Sequence, residues 1–362
     1  MSKVLLIVGA GLSQGSLGLP ADKDFLDRNI REIEDNFFLC LALEKLYPRR
    51  GMHWKDFRLE IVWSEIVGNQ KNPKIVLMPN EIENIYNKLK SLARSEQITK
   101  QKRTYYSYFQ YENDVSKTPY EYLFEFAEWE LTKLVQKTFT RTLPAEKKGI
   151  YQQLIEHCVG VGNSLEIVSF NYDTLIEQAL DKFYYSSFTI PPEGIKVIKP
   201  HGSINWYQDI NLEYPSEPEE LVSTSDLSLD DFGFEKNRFY KHGIVGLIDK
   251  KFEKRTARRS NFEIGLSDLR SSIEQSDSIF IVGYSFPSGD RHIRGMLRAA
   301  KSNMQLHKVD PIKNILLVRP LASDESIEDL KANLNDIFFV EKDKIEIIPE
   351  KWENWAEQIS KN

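Results

Sequence analysis

Cysteine is nearly absent: Cys40 and Cys158 are the only two, far apart in the chain. That excludes a four-cysteine zinc site, argues against a disulfide framework and fits a reducing compartment. The six histidines, His53, His157, His201, His242, His292 and His307, form no pair at metal-ligand spacing, so no metal is expected. No apolar run approaches the roughly 20 residues that a bilayer span requires. Lys3 before Val4 to Val8 resembles the start of a signal peptide, but glycines interrupt the run too soon for an h-region. The expectation is a cytoplasmic protein that engages no membrane. Positive charge is not in excess either: the formal net charge is −6, which gives no general reason to expect direct nucleic-acid binding. A Walker-type Gly-x-x-x-x-Gly-Lys-Ser/Thr, an internal repeat and a low-complexity tract are all missing.

What is present begins with Val4-Leu5-Leu6-Ile7-Val8, five consecutive large apolar residues that read as a strand buried on both faces. The run leads into Gly9-Ala10-Gly11-Leu12-Ser13, where missing side chains let backbone N–H groups approach a phosphate. A dinucleotide fingerprint would carry a third glycine, but Gln14 stands there and Gly15 is one late. An ordinary strand-to-helix turn is the alternative. Asp22 or Asp24 then offers a cap for a helix through Phe25, Leu26, Ile30 and Ile33. From Phe37 to Cys158 apolar residues recur at helical intervals and no strand is legible. The α/β pattern returns with strands at Leu165–Phe170, Ile195–Ile198, Ser278–Val282 and Asn314–Val318, a possible edge strand at Ile345–Ile348, and intervening helices.

The fold class expected is therefore α/β: a Rossmann-like parallel sheet flanked by helices, with a large helical insertion after the first βα unit. Residues 1–36 and 160–362 would form the nucleotide-binding α/β domain and 37–159 the helical insertion. Within the insertion, Tyr105, Tyr106, Tyr108, Phe109 and Tyr111 cluster beside Lys102 and Arg103, an interface candidate more than a nucleic-acid surface. No Lys or Arg stands between Pro200 and Glu235, where acidic residues accumulate; 211–235 reads as a loop or flap. Lys250, Lys251, Lys254, Arg255, Arg258 and Arg259 reverse the bias.

Polar residues sit just past several strands, where open α/β sheets place ligands. They are Gly9-Ala10-Gly11-Leu12-Ser13, Phe170-Asn171-Tyr172-Asp173, Lys199-Pro200-His201-Gly202 and Gly283-Tyr284-Ser285, in that order. Asn171 can donate and accept without adding charge, Asp173 can accept, and His201 titrates near neutral pH. Each also has a plain reading, as turn former, helix cap or loop histidine.

The ordered set resembles the sirtuin superfamily, and its versions of the motifs look most like bacterial sirtuin-like proteins of anti-phage defence. The resemblance implies that NAD is bound as substrate. Gly9, Ala10, Gly11, Ser13, Asp173, Gly283, Ser285 and Asp290 would contact it, and Asn171 and His201 would be catalytic. It implies hydrolysis of NAD to nicotinamide and ADP-ribose rather than deacylation, because the deacylases' zinc ribbon of two Cys-x-x-Cys pairs has no counterpart. The usual arginine after the first loop is also absent. A sensing module that binds NAD or ADP-ribose and gates a partner is the first rival, a protein deacylase the second. A hydride-transferring dehydrogenase fits worse, for want of the third glycine and an acidic strand end. The family further implies a homo-oligomer and a partner in trans, such as a HerA-type ATPase.

Overall fold

The computed structural model describes residues 2–21, 24–48, 53–70, 73–94, 118–162, 164–181, 184–186, 194–201, 203–204, 207–209, 240–242, 267–286, 291–306, 312–321, 323 and 325–359. The Tyr105–Tyr111 cluster, the acidic stretch 211–235 and the basic stretch 250–259 lie outside them. The strands in chain order are β1 (Lys3–Val8), β2 (Ser164–Ser169), β3 (Tyr184–Ser186), β4 (Ile195–Ile198), β5 (Tyr207–Asp209), β6 (Tyr240–His242), β7 (Ser278–Val282), β8 (Asn314–Val318) and β9 (Ile345–Ile348). Seven of them form one sheet in the order β3-β4-β2-β1-β7-β8-β9, and every pairing in it is parallel. β5 and β6 form a separate antiparallel pair.

The apolar run at the N-terminus becomes the middle strand for a physical reason. Successive side chains of a strand point to opposite faces, so a middle strand must be apolar at every position. Val4, Leu6 and Val8 enter one core and Leu5 and Ile7 the other, all buried. Val8 is level with Ser169 of β2 and with Val282 of β7. The loops leaving these three strands therefore open at one edge of the sheet. The strand order reverses at β1, which places the expected ligand crevice at this edge.

The first core extends without a break from the sheet into the helical segment. It joins Val4, Leu6 and Ile167 to Phe38, Leu43, Trp63, Ile85, Phe124 and Leu154. The helices there are Phe37–Leu46, Leu59–Asn69, Pro79–Arg94, Pro119–Phe139 and Ala145–Val161. Asn36 caps the first by accepting from Leu39 N, and Phe38 stacks on Phe126 at 4.6 Å. No strand is present among the described residues of 37–159, as the spacing predicts.

Two local expectations need correction. The helix expected after Asp22 or Asp24 is broken into Phe25–Arg28 and Ile30–Glu34, and the Asp24 side chain makes no cap bond. Asn29 stands at the break and donates from Nδ2 to Phe25 O, the kind of local bond by which asparagine interrupts helices. The edge strand β3 and the β5–β6 pair were not expected, because three-residue strands are too short to show a period. No helix among the described residues is long and apolar enough to cross a membrane.

Candidate functional site

The loop after β1 meets the loop after β7 backbone to backbone. Gly9 N donates to Val282 O at 3.1 Å and Gly11 N to Gly283 O at 2.9 Å. A Cβ on Gly11 would lie 2.8 Å from Gly283 Cα, and one on Gly283 would lie 2.4 Å from Leu12 N. Gly283 also has φ +65°, a region glycine enters freely. The glycines thus let two loops touch, and two of their amides are committed to that contact rather than to a phosphate. Helix α1 (Ala10–Leu17) starts immediately, with Gly9 as its N-cap, and turns the positive end of its dipole to this edge. Ala10 and Gly11 are half-buried there.

One turn into α1, Ser13 meets the loop after β2. Its Oγ donates to Asp173 Oδ2 at 2.6 Å and accepts from Asn171 Nδ2 at 2.9 Å. Asn171 Nδ2 also donates to Gly9 O at 3.1 Å. Both amide hydrogens of Asn171 are then in use within the cluster, so toward a ligand its side chain can act only through Oδ1, as an acceptor. Asp173 Oδ1 accepts from Leu175 N at 3.1 Å, the first N–H of the helix Leu175–Ala179. Ser13, Asn171 and Asp173 are all buried. Burial raises the Asp173 carboxyl above the ordinary carboxylate range, opposed first by the Lys199 cation and then by the Ser13 hydrogen bond.

The loop after β4 closes on the same turn. Lys199 Nζ donates to Asp173 O, and past His201 both Ile204 N (3.0 Å) and Ser203 Oγ (3.4 Å) donate to Tyr172 O. His201 is buried, with its ring edge-on to Phe170 at 5.3 Å. Phe170 in turn stacks on Tyr284 of the β7 loop at 4.2 Å. An aromatic wall therefore runs from the His201 loop to the Gly283 loop.

α1 is held from behind by distant parts of the chain. Leu12 O accepts from Ser16 Oγ at 2.8 Å and from Trp352 Nε1 at 3.1 Å. Tyr151 OH lies 2.7 Å from Ser16 Oγ, and its ring meets Trp352 edge-on at 5.0 Å. Burial pushes the Tyr151 phenol well above its usual range.

Of the residues singled out in the sequence, the structure joins Gly9, Gly11, Ser13, Asn171, Asp173 and Gly283 by direct bonds or close packing, with Ala10 and His201 beside them. Ser285 stands apart. It lines a cavity of about 70 Å³ with Arg294, Arg319 and Glu325, where Arg319 pairs with Glu325. Asp290 lies outside the described residues. No group of three His, Cys, Asp or Glu side chains able to hold a metal occurs among the described residues. Sequence reasoning missed the roles of Lys199, Glu177, Tyr151 and Trp352. Their partners are far along the chain, and only Lys199 stood in a motif, two residues before His201.

A protein-family model described as "SIR2-like domain" matches residues 165–348. Among solved structures, a Sir2-homologue mutant in complex with 2'-O-acetyl ADP ribose aligns over 99% of this chain and 90% of its own, at 14% identity and TM-score 0.39. A structure titled for the mechanism and regulation of Sir2 enzymes aligns over 99% and 91%, at 14% identity and TM-score 0.44. Sir2Tm bound to a propionylated peptide aligns over 99% and 92%, at 11% identity and TM-score 0.38. No curated protein matches the chain.

Proposed function

We propose, from the premise that this chain belongs to the SIR2-like domain family, that it hydrolyses NAD+ to nicotinamide and ADP-ribose. The observation that carries this reading is the buried Asn171–Ser13–Asp173 cluster, which joins the loops after β1 and β2 at the crevice edge, with His201 beside it. The nicotinamide of NAD+ is cationic and leaves as a neutral ring, taking the electron pair of the C1'–N bond, so no acid is needed to protonate it. The ribose passes through an oxocarbenium-like transition state, as in glycoside hydrolysis. A water then bonds to C1' and gives up a proton. Asn171 Oδ1 is suited to orient that water or a ribose hydroxyl, and the His201 imidazole to take the proton. Asp173 lies behind Ser13 and fixes the geometry of Asn171. Ala10, at the positive end of α1, faces the diphosphate in this reading, while Gly9, Gly11 and Gly283 hold the two loops together.

The test measures nicotinamide release together with NAD binding by calorimetry. His201→Ala and Asn171→Ala are expected to lose about 10²–10⁴-fold in turnover while still melting cooperatively, Asn171→Ala at a lower temperature because Gly9 O and Ser13 Oγ lose a partner. Unchanged rates would remove the assigned role. Saturable NAD or ADP-ribose binding without release would make the pocket a sensor that gates a partner. Release that requires an acylated peptide would make the chain a deacylase.

Depleting NAD is toxic to the producing cell, which suits a cytoplasmic anti-phage effector held idle until infection. Residues 37–159, whose described regular elements are all helices, offer the extra surface for self-assembly and for a partner in trans such as a HerA-type ATPase. Light scattering of the purified chain, alone and with such an ATPase, is expected to show a homo-oligomer and a larger joint complex. A monomer that gains activity on NAD unaided would overturn the assembly part of the reading.

A further inference from the structure

We infer that Lys199 is a positioning residue: its ammonium clips the Asn171–Asp173 turn to the His201 loop, with Glu177 as the buried counter-charge. The inference rests on the hydrolase reading for its effect on turnover, but not for the clip itself. Lys199 follows β4 directly and precedes His201 by two residues, yet it does not reach for solvent. Its Nζ donates to Asp173 O and to Glu177 Oε1 at 3.0 Å, and the Lys and Glu side chains are 2% and 6% exposed. Buried ion pairs are weak sources of stability, since desolvation offsets their attraction, and well-packed apolar replacements often fold as well. What such a pair does provide is direction.

The directions matter here. On one side of His201, Lys199 bonds the carbonyl of Asp173; on the other, Ser203 and Ile204 bond the carbonyl of Tyr172. His201 is thus carried on a short loop pinned at both ends to the turn that bears Asn171. Glu177 sits on the helix Leu175–Ala179, whose first N–H is bonded by Asp173, so the same ammonium also ties that helix to the end of β4. The distance between Asn171 and His201 is set by these pins. Displacement of a catalytic group by about 1 Å can reduce turnover about 100-fold.

The experiment compares wild type with Lys199→Met and with the double variant Lys199→Met/Glu177→Leu. Readouts are unfolding midpoint, nicotinamide release, calorimetric NAD affinity and hydrogen exchange at residues 171–174 and 201–204. The single variant is expected to unfold more easily, because Glu177 is left buried and unpaired. The double variant should regain the wild-type midpoint yet turn over about 100-fold more slowly. Its NAD affinity should stay within about threefold, and its two loops should exchange faster. Wild-type turnover or unchanged loop exchange in the double variant would overturn the inference. Should wild type bind NAD and release no nicotinamide, the hydrolase reading falls, and loop exchange alone decides the clip. Should the double variant not fold, Lys199→Arg decides: it keeps the charge but moves the point of attachment, so full turnover would refute the positioning role.

Discussion

Asp173 is subject to opposed effects whose balance can be measured. An aspartate in the unfolded chain titrates near about 3.9, whereas burial raises Asp173 in the native state against the pull of Lys199. A native carboxyl with a raised pKa binds its proton more tightly than the unfolded chain does. Its contribution to stability is therefore complete below about pH 3.9 and declines as pH rises through the native value. Asp173→Asn removes that decline, so its denaturant midpoint should fall less than that of wild type as pH rises from about 4 to 7. Parallel curves for the two proteins would show that Asp173 does not titrate as described. At Gly283 the constraint is steric. An alanine there places a Cβ 2.4 Å from Leu12 N at φ +65°, which should cost about 2–4 kcal/mol in urea unfolding. At this scale, much of the site was legible. Asn171, His201 and the paired glycines are unusual residues just past apolar strands. Lys199 and Glu177 were not, because 22 positions separate them and a lone Lys and a lone Glu look like solvated charges until tertiary structure buries them.

Elements were legible in proportion to how deeply they are buried. β1, β7 and β8 hold apolar runs with bounds that the pattern marks almost residue for residue, since strands covered on both faces exclude polar side chains; β4 was legible too, although Lys196 interrupts it and pairs with Asp268. β3, β5 and β6 have three residues each and no period to read. The role of the last helix, Trp352–Ile359, was equally hidden: nothing local says that Trp352 reaches the first loop. Trp352→Ala should destabilise the protein by about 3–5 kcal/mol through the lost ring. Trp352→Phe keeps most of the packing and loses the bond to Leu12 O, at about 1 kcal/mol. Chemical denaturation of both variants, with NAD affinity alongside, separates the two contributions. A Phe variant as unstable as the Ala variant would show that the hydrogen bond, rather than the packing of the ring, holds this helix to α1.

For the whole molecule, the sequence pattern separates a helical segment from an α/β one, yet a single apolar cluster runs through both. The boundary at 37 and 159 marks a change of secondary structure. Whether a core is shared depends on which faces meet, and periodicity does not report that. Residues 37–159 expressed alone should show no cooperative thermal transition, because Leu154 and Cys158 would lose the sheet they pack on. A sharp melt of the fragment would establish an independent domain.

The bond between Trp352 and Leu12 spans 340 positions, and this bears on biosynthesis. Ribosomes add about 5–20 residues per second, so about 20–70 s separate the emergence of the two partners. For that interval α1 lacks the Trp352 part of its rear support, Tyr151 having emerged earlier, and β1 gains first β2 and then β7 on the way. The first loop to be made is thus among the last parts of the protein to be fully braced.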